Sequence, residues 1–217
     1  MKINKKLTKI NYQKGKNKKN KYIVIHYVGA TGGAEANCKY FEKIYRGASA
    51  HYFVGHAGEV WQCVEDKNIA WHCGALKYKH KTCRNSNSIG IEMCCKKDSK
   101  GKWYFEPKTV AATIDLVKEL MKEHNIPESN VIRHYDVTGK KCPEPYVSNT
   151  ADWNSFKKQL TTAKLEEQKT VNKSVETVAK EVIQGKWGNG ENRKKLLKAA
   201  GYDYTKVQAM VNKLLKK

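Results

Sequence analysis

The chain has 217 residues, 40% of them hydrophobic, and 42 basic against 21 acidic side chains give a formal net charge of +21. That length suits one moderate domain, or one domain plus a small module. No apolar stretch exceeds strand length and the lysine-rich N-terminus leads into no apolar signal core, which excludes a helical membrane span or insertion and predicts synthesis in the cytoplasm without a signal peptide.

Residues 1 to 20 are polar and read as a segment wrapping the surface. Lys21 to Val28 is a near-continuous apolar run, the pattern of a strand buried on both faces, and it carries His26. Ala34 to Arg46 places Tyr40, Phe41, Ile44 and Tyr45 at helical spacing. Ser49 to Val54, a turn at His56-Ala57-Gly58-Glu59, and Val60 to Val64 read as a hairpin. In the strand predicted over Ile89 to Cys94, alternation puts Glu92 on the face of Gly90, where small residues leave room. Pro107 opens a helix with a Val110, Ile114, Val117, Met121 stripe that ends at Asn125-Ile126-Pro127. A short strand at Val131-Ile132 then delivers His134, and Asp152 is the expected N-cap of a helix facing inward through Trp153, Phe156 and Leu160. Strands and helices in this order predict a mixed α/β fold, a central sheet flanked by helices.

From Thr161 the text holds no cysteine or histidine and only helical stripes. One face (Val175, Val178, Val182, Ile183) stops at Gly185, a second (Leu196, Leu197, Ala200) at Gly201, and a third (Val207, Val211, Leu214, Leu215) follows Asp203. The reading is a domain over 1–160, a linker over 161–173 and a small three-helix bundle over 174–217.

His26, His134 and Cys142 make a ligand set of two imidazoles and one thiolate, which suits zinc and leaves a fourth tetrahedral position open, as in a catalytic site. Zinc so held polarises a carbonyl and lowers the pKa of bound water from about 15.7 toward about 7. A thiolate ligand tempers that acidity, so a carboxylate base is wanted and Glu92 is the candidate. Lys140, two residues before Cys142, is placed to stabilise an oxyanion. Seven cysteines, an odd number without an export signal, read as mostly free thiols, and the adjacent Cys94 and Cys95 point to opposite strand faces. Cys73 and Cys83 with His72 and His80 fit no paired Cys-x2-Cys metal pattern.

Tyr22-Ile23-Val24-Ile25-His26-Tyr27, Ser49-Ala50-His51-Tyr52-Phe53-Val54, Asn87-Ser88-Ile89-Gly90-Ile91-Glu92, His134-Tyr135-Asp136 and Lys140-Lys141-Cys142-Pro143 follow in the order and approximate spacing of the zinc N-acetylmuramoyl-L-alanine amidases. The chain resembles phage endolysins and peptidoglycan recognition proteins over roughly Lys21 to Leu160. The resemblance implies zinc on His26, His134 and Cys142, catalytic roles for Glu92 and Lys140, and substrate contact by His51 and His72. One departure is Ala50, a tyrosine in some members, which shifts weight to Glu92. Residues 174 to 215 closely resemble the Cpl-7 type of cell-wall-binding repeat in a single copy, which implies wall contact by Lys186, Trp187, Asn189 and Arg193.

The expectation is a modular endolysin that cuts the amide between N-acetylmuramic acid and L-alanine, reaching the wall through a holin. A non-catalytic peptidoglycan-binding protein is the alternative, though every ligand position is filled. A basic nucleic-acid-binding protein is the other; no RRM signature, helix-turn-helix pattern or zinc-finger spacing supports it. Nine lysines and no acid fall within Met1 to Lys21, and such charge equally fits anionic wall polymers.

Overall fold

A computed structural model describes residues 1–161 and 174–215. The chain divides into two compact units between Thr162 and Ala163. The stretch 162–173, most of the expected linker, lies outside the described residues.

The first unit is built on a six-stranded sheet in the order β1-β4-β3-β5-β2-β8, where β1 is Ile3–Lys5, β2 Tyr22–Tyr27, β3 Tyr52–Val54, β4 Val60–Gln62, β5 Ser88–Met93 and β8 Val131–Arg133. Only β3 and β4 pair antiparallel; every other pairing is parallel. The hydrophobic run expected to be buried on both faces is β2, which lies between β5 and β8. Its alternation sorts the two faces. Ile23 and Ile25, with Ile89, Ile91 and Met93 of β5, pack against α2 (Pro107–His124) and α5 (Thr150–Thr161). Val24 and His26 turn the other way, and Val24 meets Cys73, Cys83 and Val137 there.

Local chemistry ends the helices. Helix α2 begins with proline at its first position and closes on Asn125, whose left-handed backbone (φ 52°) returns its N–H to the Met121 carbonyl. Asp152 is not the cap of α5; Asn149 is, its Oδ1 accepting from the backbone of Ala151 at 3.1 Å and Asp152 at 3.4 Å. Helix α1 (Ala34–Glu42) stops a turn before the expected Arg46. The reason is the N-terminal arm: the Phe41 carbonyl, which another turn would need, accepts from Thr8 Oγ1 at 2.6 Å and Asn11 Nδ2 at 2.7 Å. Tyr40, Ile44 and Tyr45 are left exposed.

The arm does more than wrap the surface, because Ile3–Lys5 adds β1 beside β4 and Lys18 Nζ donates to the carbonyls of Asp66 and Asn68 at 3.2 and 2.8 Å. Two further strands, β6 (Lys96–Lys97) and β7 (Trp103–Tyr104), form a separate antiparallel pair.

In the second unit α6 (Val175–Ile183), α7 (Gly190–Ala199) and α8 (Tyr204–Leu215) enclose Val178, Ala179, Val182, Leu197, Val207 and Val211. Ser174 caps α6 by accepting from the Thr177 backbone at 3.2 Å.

Candidate active site

Sheet register assembles the site before any loop is considered. His26 of β2 and Glu92 of β5 are paired positions in neighbouring parallel strands, so their side chains emerge together on the face away from α2. His26 Nδ1 lies 3.9 Å from Glu92 Oε1. Strand β8, on the other side of β2, runs directly into α3 (His134–Thr138) and sets the His134 ring 4.6 Å from the His26 ring, centroid to centroid. That helix start is held by Asp136, which accepts from the Arg133 backbone at 2.9 Å and from its guanidinium at 2.8 Å. The loop after α3 folds back so that Tyr135 N–H donates to the Cys142 carbonyl at 2.8 Å, bringing Cys142 Sγ within 3.7 Å of His26 Nδ1.

The candidate ligand atoms of His26, His134 and Cys142 all lie within 4.8 Å of one another, and all three residues are buried. Burial, reinforced by the neighbouring His134 and His72 rings, holds His26 well below the ordinary imidazole range. Burial and Lys140 bring His134 down to about 4. Both rings are thus neutral, the form that offers a lone pair to a metal. Burial and the nearby Glu92 push the Cys142 thiol up to about 12, so only a strong local cation would draw off its proton. Glu92 is raised to about 8 by burial, against the pull of Lys140, and its buried Oε2 has no hydrogen-bond partner. Two neutral imidazoles and a thiol around one point, with a partly unpartnered carboxylate beside His26, fit a divalent cation of the nitrogen- and sulfur-preferring kind.

A cavity of ≈ 260 Å³ opens over this cluster, with Glu92, Lys140, Cys142, Tyr27 and Trp71 on its walls. Lys140 is otherwise exposed, as a side chain offered to a bound ligand must be. All five residues expected to do chemistry are therefore gathered in one place.

The two expected substrate contacts fare differently. His51 is fully enclosed behind the cavity: its Nδ1 accepts from the Gly90 backbone at 3.0 Å and its Nε2 lies 3.1 Å from the Asn68 carbonyl. With both nitrogens committed and no exposed surface, His51 presents no polar group to the cavity. His72 lines the cavity, yet its Nδ1 is 3.0 Å from His26 Nε2 and its Nε2 3.1 Å from Ser88 Oγ. No ring nitrogen of His72 is left for a substrate. The cysteines are free thiols, and Cys73 and Cys83 do not gather histidines into a second centre among the described residues. A more exposed group that sequence reasoning missed joins Asp66, Glu123 and His124, with His124 Nε2 3.1 Å from Asp66 Oδ2.

In the second unit, Lys186 and Asn189 are exposed, while Trp187 and Arg193 are half-buried. Trp187 packs on the bundle core, meets Tyr202 edge-on at 6.0 Å and donates from Nε1 to Glu181 at 3.1 Å. Arg193 clamps the turn, donating to the Gly188 carbonyl at 2.9 Å and to Asn189 Oδ1 at 3.0 Å.

Comparison with known proteins adds a family to this geometry. A family model described as N-acetylmuramoyl-L-alanine amidase matches residues 16–145, and a model of the CW_7 repeat matches residues 176–215. The N-acetylmuramoyl-L-alanine amidase CwlL of Bacillus licheniformis is 30% identical over 207 residues, covering 87% of this chain and 56% of CwlL. The chain thus spans little more than half the length of that relative. A lysozyme of Streptococcus phage Cp-7 is 45% identical over 66 residues, 28% of this chain and 19% of the lysozyme. The solved structure of PlyL superposes with a TM-score of 0.62 at 27% identity, over 74% of this chain and 97% of that one. Because the first family match takes in more than half of the sequence and contains both histidines and the cysteine of the buried cluster, the chain belongs to the N-acetylmuramoyl-L-alanine amidase family.

Proposed function

We propose that the chain is a zinc-dependent peptidoglycan hydrolase that cleaves the amide between N-acetylmuramic acid and the L-alanine of the stem peptide. The observation that carries this reading is the convergence of three buried donors of the zinc-binding type with a carboxylate and a lysine at one cavity. His26, His134 and Cys142 would hold the ion. When bound, zinc supplies a Lewis acid for the scissile carbonyl and a means of ionising water near neutral pH.

The remaining steps belong to the chain's own side chains. Glu92, beside His26 and with an uncommitted oxygen, is placed to take a proton from the attacking water and return it to the departing amide nitrogen. Lys140 offers its ammonium group to the oxyanion that develops as the carbonyl is attacked.

The repeat at 176–215 supports a second role, holding the enzyme on an insoluble substrate and so raising its local concentration there. Lys186 and Asn189 present exposed polar groups for that contact, and Trp187 and Arg193 shape the turn that displays them. The excess of basic side chains suits anionic wall polymers as a secondary attraction. Among the described residues no helix is long and apolar enough to cross a membrane, and the reading is of an endolysin that reaches the wall by holin-mediated release.

The test is incubation with purified peptidoglycan followed by mass spectrometry. Free L-alanyl amino termini on stem peptides with an intact glycan are expected; cleaved glycan, or no product with zinc-loaded protein, overturns the proposal.

A further inference from the structure

We infer that His72 and Ser88 are positioning residues that select the metal-binding tautomer of His26, through a hydrogen-bond relay anchored on a backbone carbonyl. The inference rests on the metal reading proposed above and concerns how this chain prepares its own ligand for the ion.

The relay has a fixed direction, and the reason lies at its far end. The Arg84 carbonyl can only accept, so Ser88 Oγ, 2.7 Å away, spends its one proton there. Ser88 Oγ then meets His72 Nε2 at 3.1 Å as an acceptor, which requires the His72 proton on Nε2. A ring that carries its proton on Nε2 alone presents a bare lone pair at Nδ1. That lone pair lies 3.0 Å from His26 Nε2 and takes its proton. His26 is left with an unprotonated Nδ1, the nitrogen that faces Cys142 Sγ at 3.7 Å. Reversing any link would put a proton on the nitrogen that would meet a bound ion.

The surroundings are shaped to this relay. The His72 and His26 rings meet edge-on with centroids 5.1 Å apart, and His26, His72 and Ser88 are all buried. Gly90 is the position that gives His72 its place: a Cβ there would lie 2.4 Å from His72 Cγ, so any side chain would push the ring off its partners. The backbone of Gly90 is in turn held by donation to His51 Nδ1 at 3.0 Å. Asn85 Oδ1 fixes the loop by accepting from the backbone of His72 at 3.2 Å and Cys73 at 2.8 Å.

The experiment uses the full chain, stripped of metal and titrated with zinc in competition with a chromophoric chelator. Partners that orient a ligand histidine are worth about 10- to 100-fold in metal affinity. His72→Leu, Ser88→Ala and Gly90→Ala are each expected to weaken zinc binding within that range. His72→Gln keeps an acceptor toward His26 and a donor toward Ser88, and is expected to stay within a few-fold of wild type. Long-range proton–nitrogen correlation spectra of the metal-free wild type are expected to place the His26 proton on Nε2. A His26 proton on Nδ1, or zinc affinity in a folded His72→Leu within about twofold of wild type, overturns the relay. If His72→Leu does not fold, the wild-type tautomer and the glutamine variant decide. A wild type that takes up no zinc overturns the metal reading and the relay together, whereas zinc uptake without amidase activity overturns only the proposed reaction.

Discussion

The two units use their informative side chains in opposite ways. In the first, His26, His134 and Cys142 are buried, placed by strand register and a helix start, and their surroundings are unsuited to protonated imidazoles. In the second, the side chains suggested for binding split: Trp187 and Arg193 build the turn, and Lys186 and Asn189 are displayed by it. Chemistry on an amide needs geometry fixed to a fraction of an ångström, which a sheet supplies. Adhesion to a repeating polymer tolerates a loop on a small bundle. Changes in the first unit should therefore abolish turnover with little effect on attachment, and changes in the second should do the reverse.

The largest expected effect is loss of the metal. Chelation, or His134→Ala, should abolish lysis of walls, and zinc should restore the chelated wild type; binding measured by pelleting with walls should persist in both. Full activity in protein shown by elemental analysis to be metal-free would break the comparison at its first term.

Next come the two side chains proposed to handle the proton and the oxyanion. Glu92→Gln and Lys140→Ala should each fold and bind zinc while turnover falls by a factor on the order of 10² or more. Steady-state rates on soluble muropeptides read this directly. A loss confined to Glu92→Gln would keep the base and retire the lysine.

A smaller effect is expected from removing the second unit. A chain ending at Thr161 retains every residue on the cavity and should cut soluble muropeptides at the full rate, but clear whole walls more slowly, on the order of 10-fold at moderate salt. At low salt the deficit should shrink, since the basic charge of the first unit is then less screened. Equal clearing by both chains at every salt concentration would remove the anchoring role.

The smallest changes separate building from contact within the second unit. Trp187→Ala should cost on the order of 2 kcal/mol, because the ring is half-buried and bonded to Glu181, and should lower only the unfolding transition of that unit. Lys186→Ala should alter stability by less than about 0.5 kcal/mol and weaken wall pelleting instead. The opposite pattern would make Trp187 the contact and Lys186 incidental.

How much of this was legible in the sequence depended on whether the signal was local. The continuous run at β2, the proline-led α2 and the three stripes of the second unit name their own secondary structure, and the resemblance gathered His26, Glu92, His134, Lys140 and Cys142. The places where the reading failed are set by partners far along the chain. Ile3–Lys5 carries no strand pattern of its own and becomes β1 only because β4 offers it an edge. Helix α1 is cut short by Thr8 and Asn11, thirty or more residues before the Phe41 carbonyl they bind. The resemblance implied substrate contact by His51 and His72, but which way each ring faces is decided by Asn68, Gly90, His26 and Ser88, and no spacing rule reports that; His72 still lines the cavity, whereas His51 does not.

The N-terminal strand has a consequence beyond the site. It is an outermost strand of the sheet, the place where an unpaired row of backbone groups invites another chain to add on. Here that row is only three residues long, preceded by exposed Lys2 and ending in exposed Lys5, with Lys6 drawn over Trp61 and Glu35. Like charges meet when two such edges approach, so the lysines of this segment discourage sheet-to-sheet aggregation. Part of the positive charge thus keeps copies of the protein apart, a use that calls for no polyanionic partner.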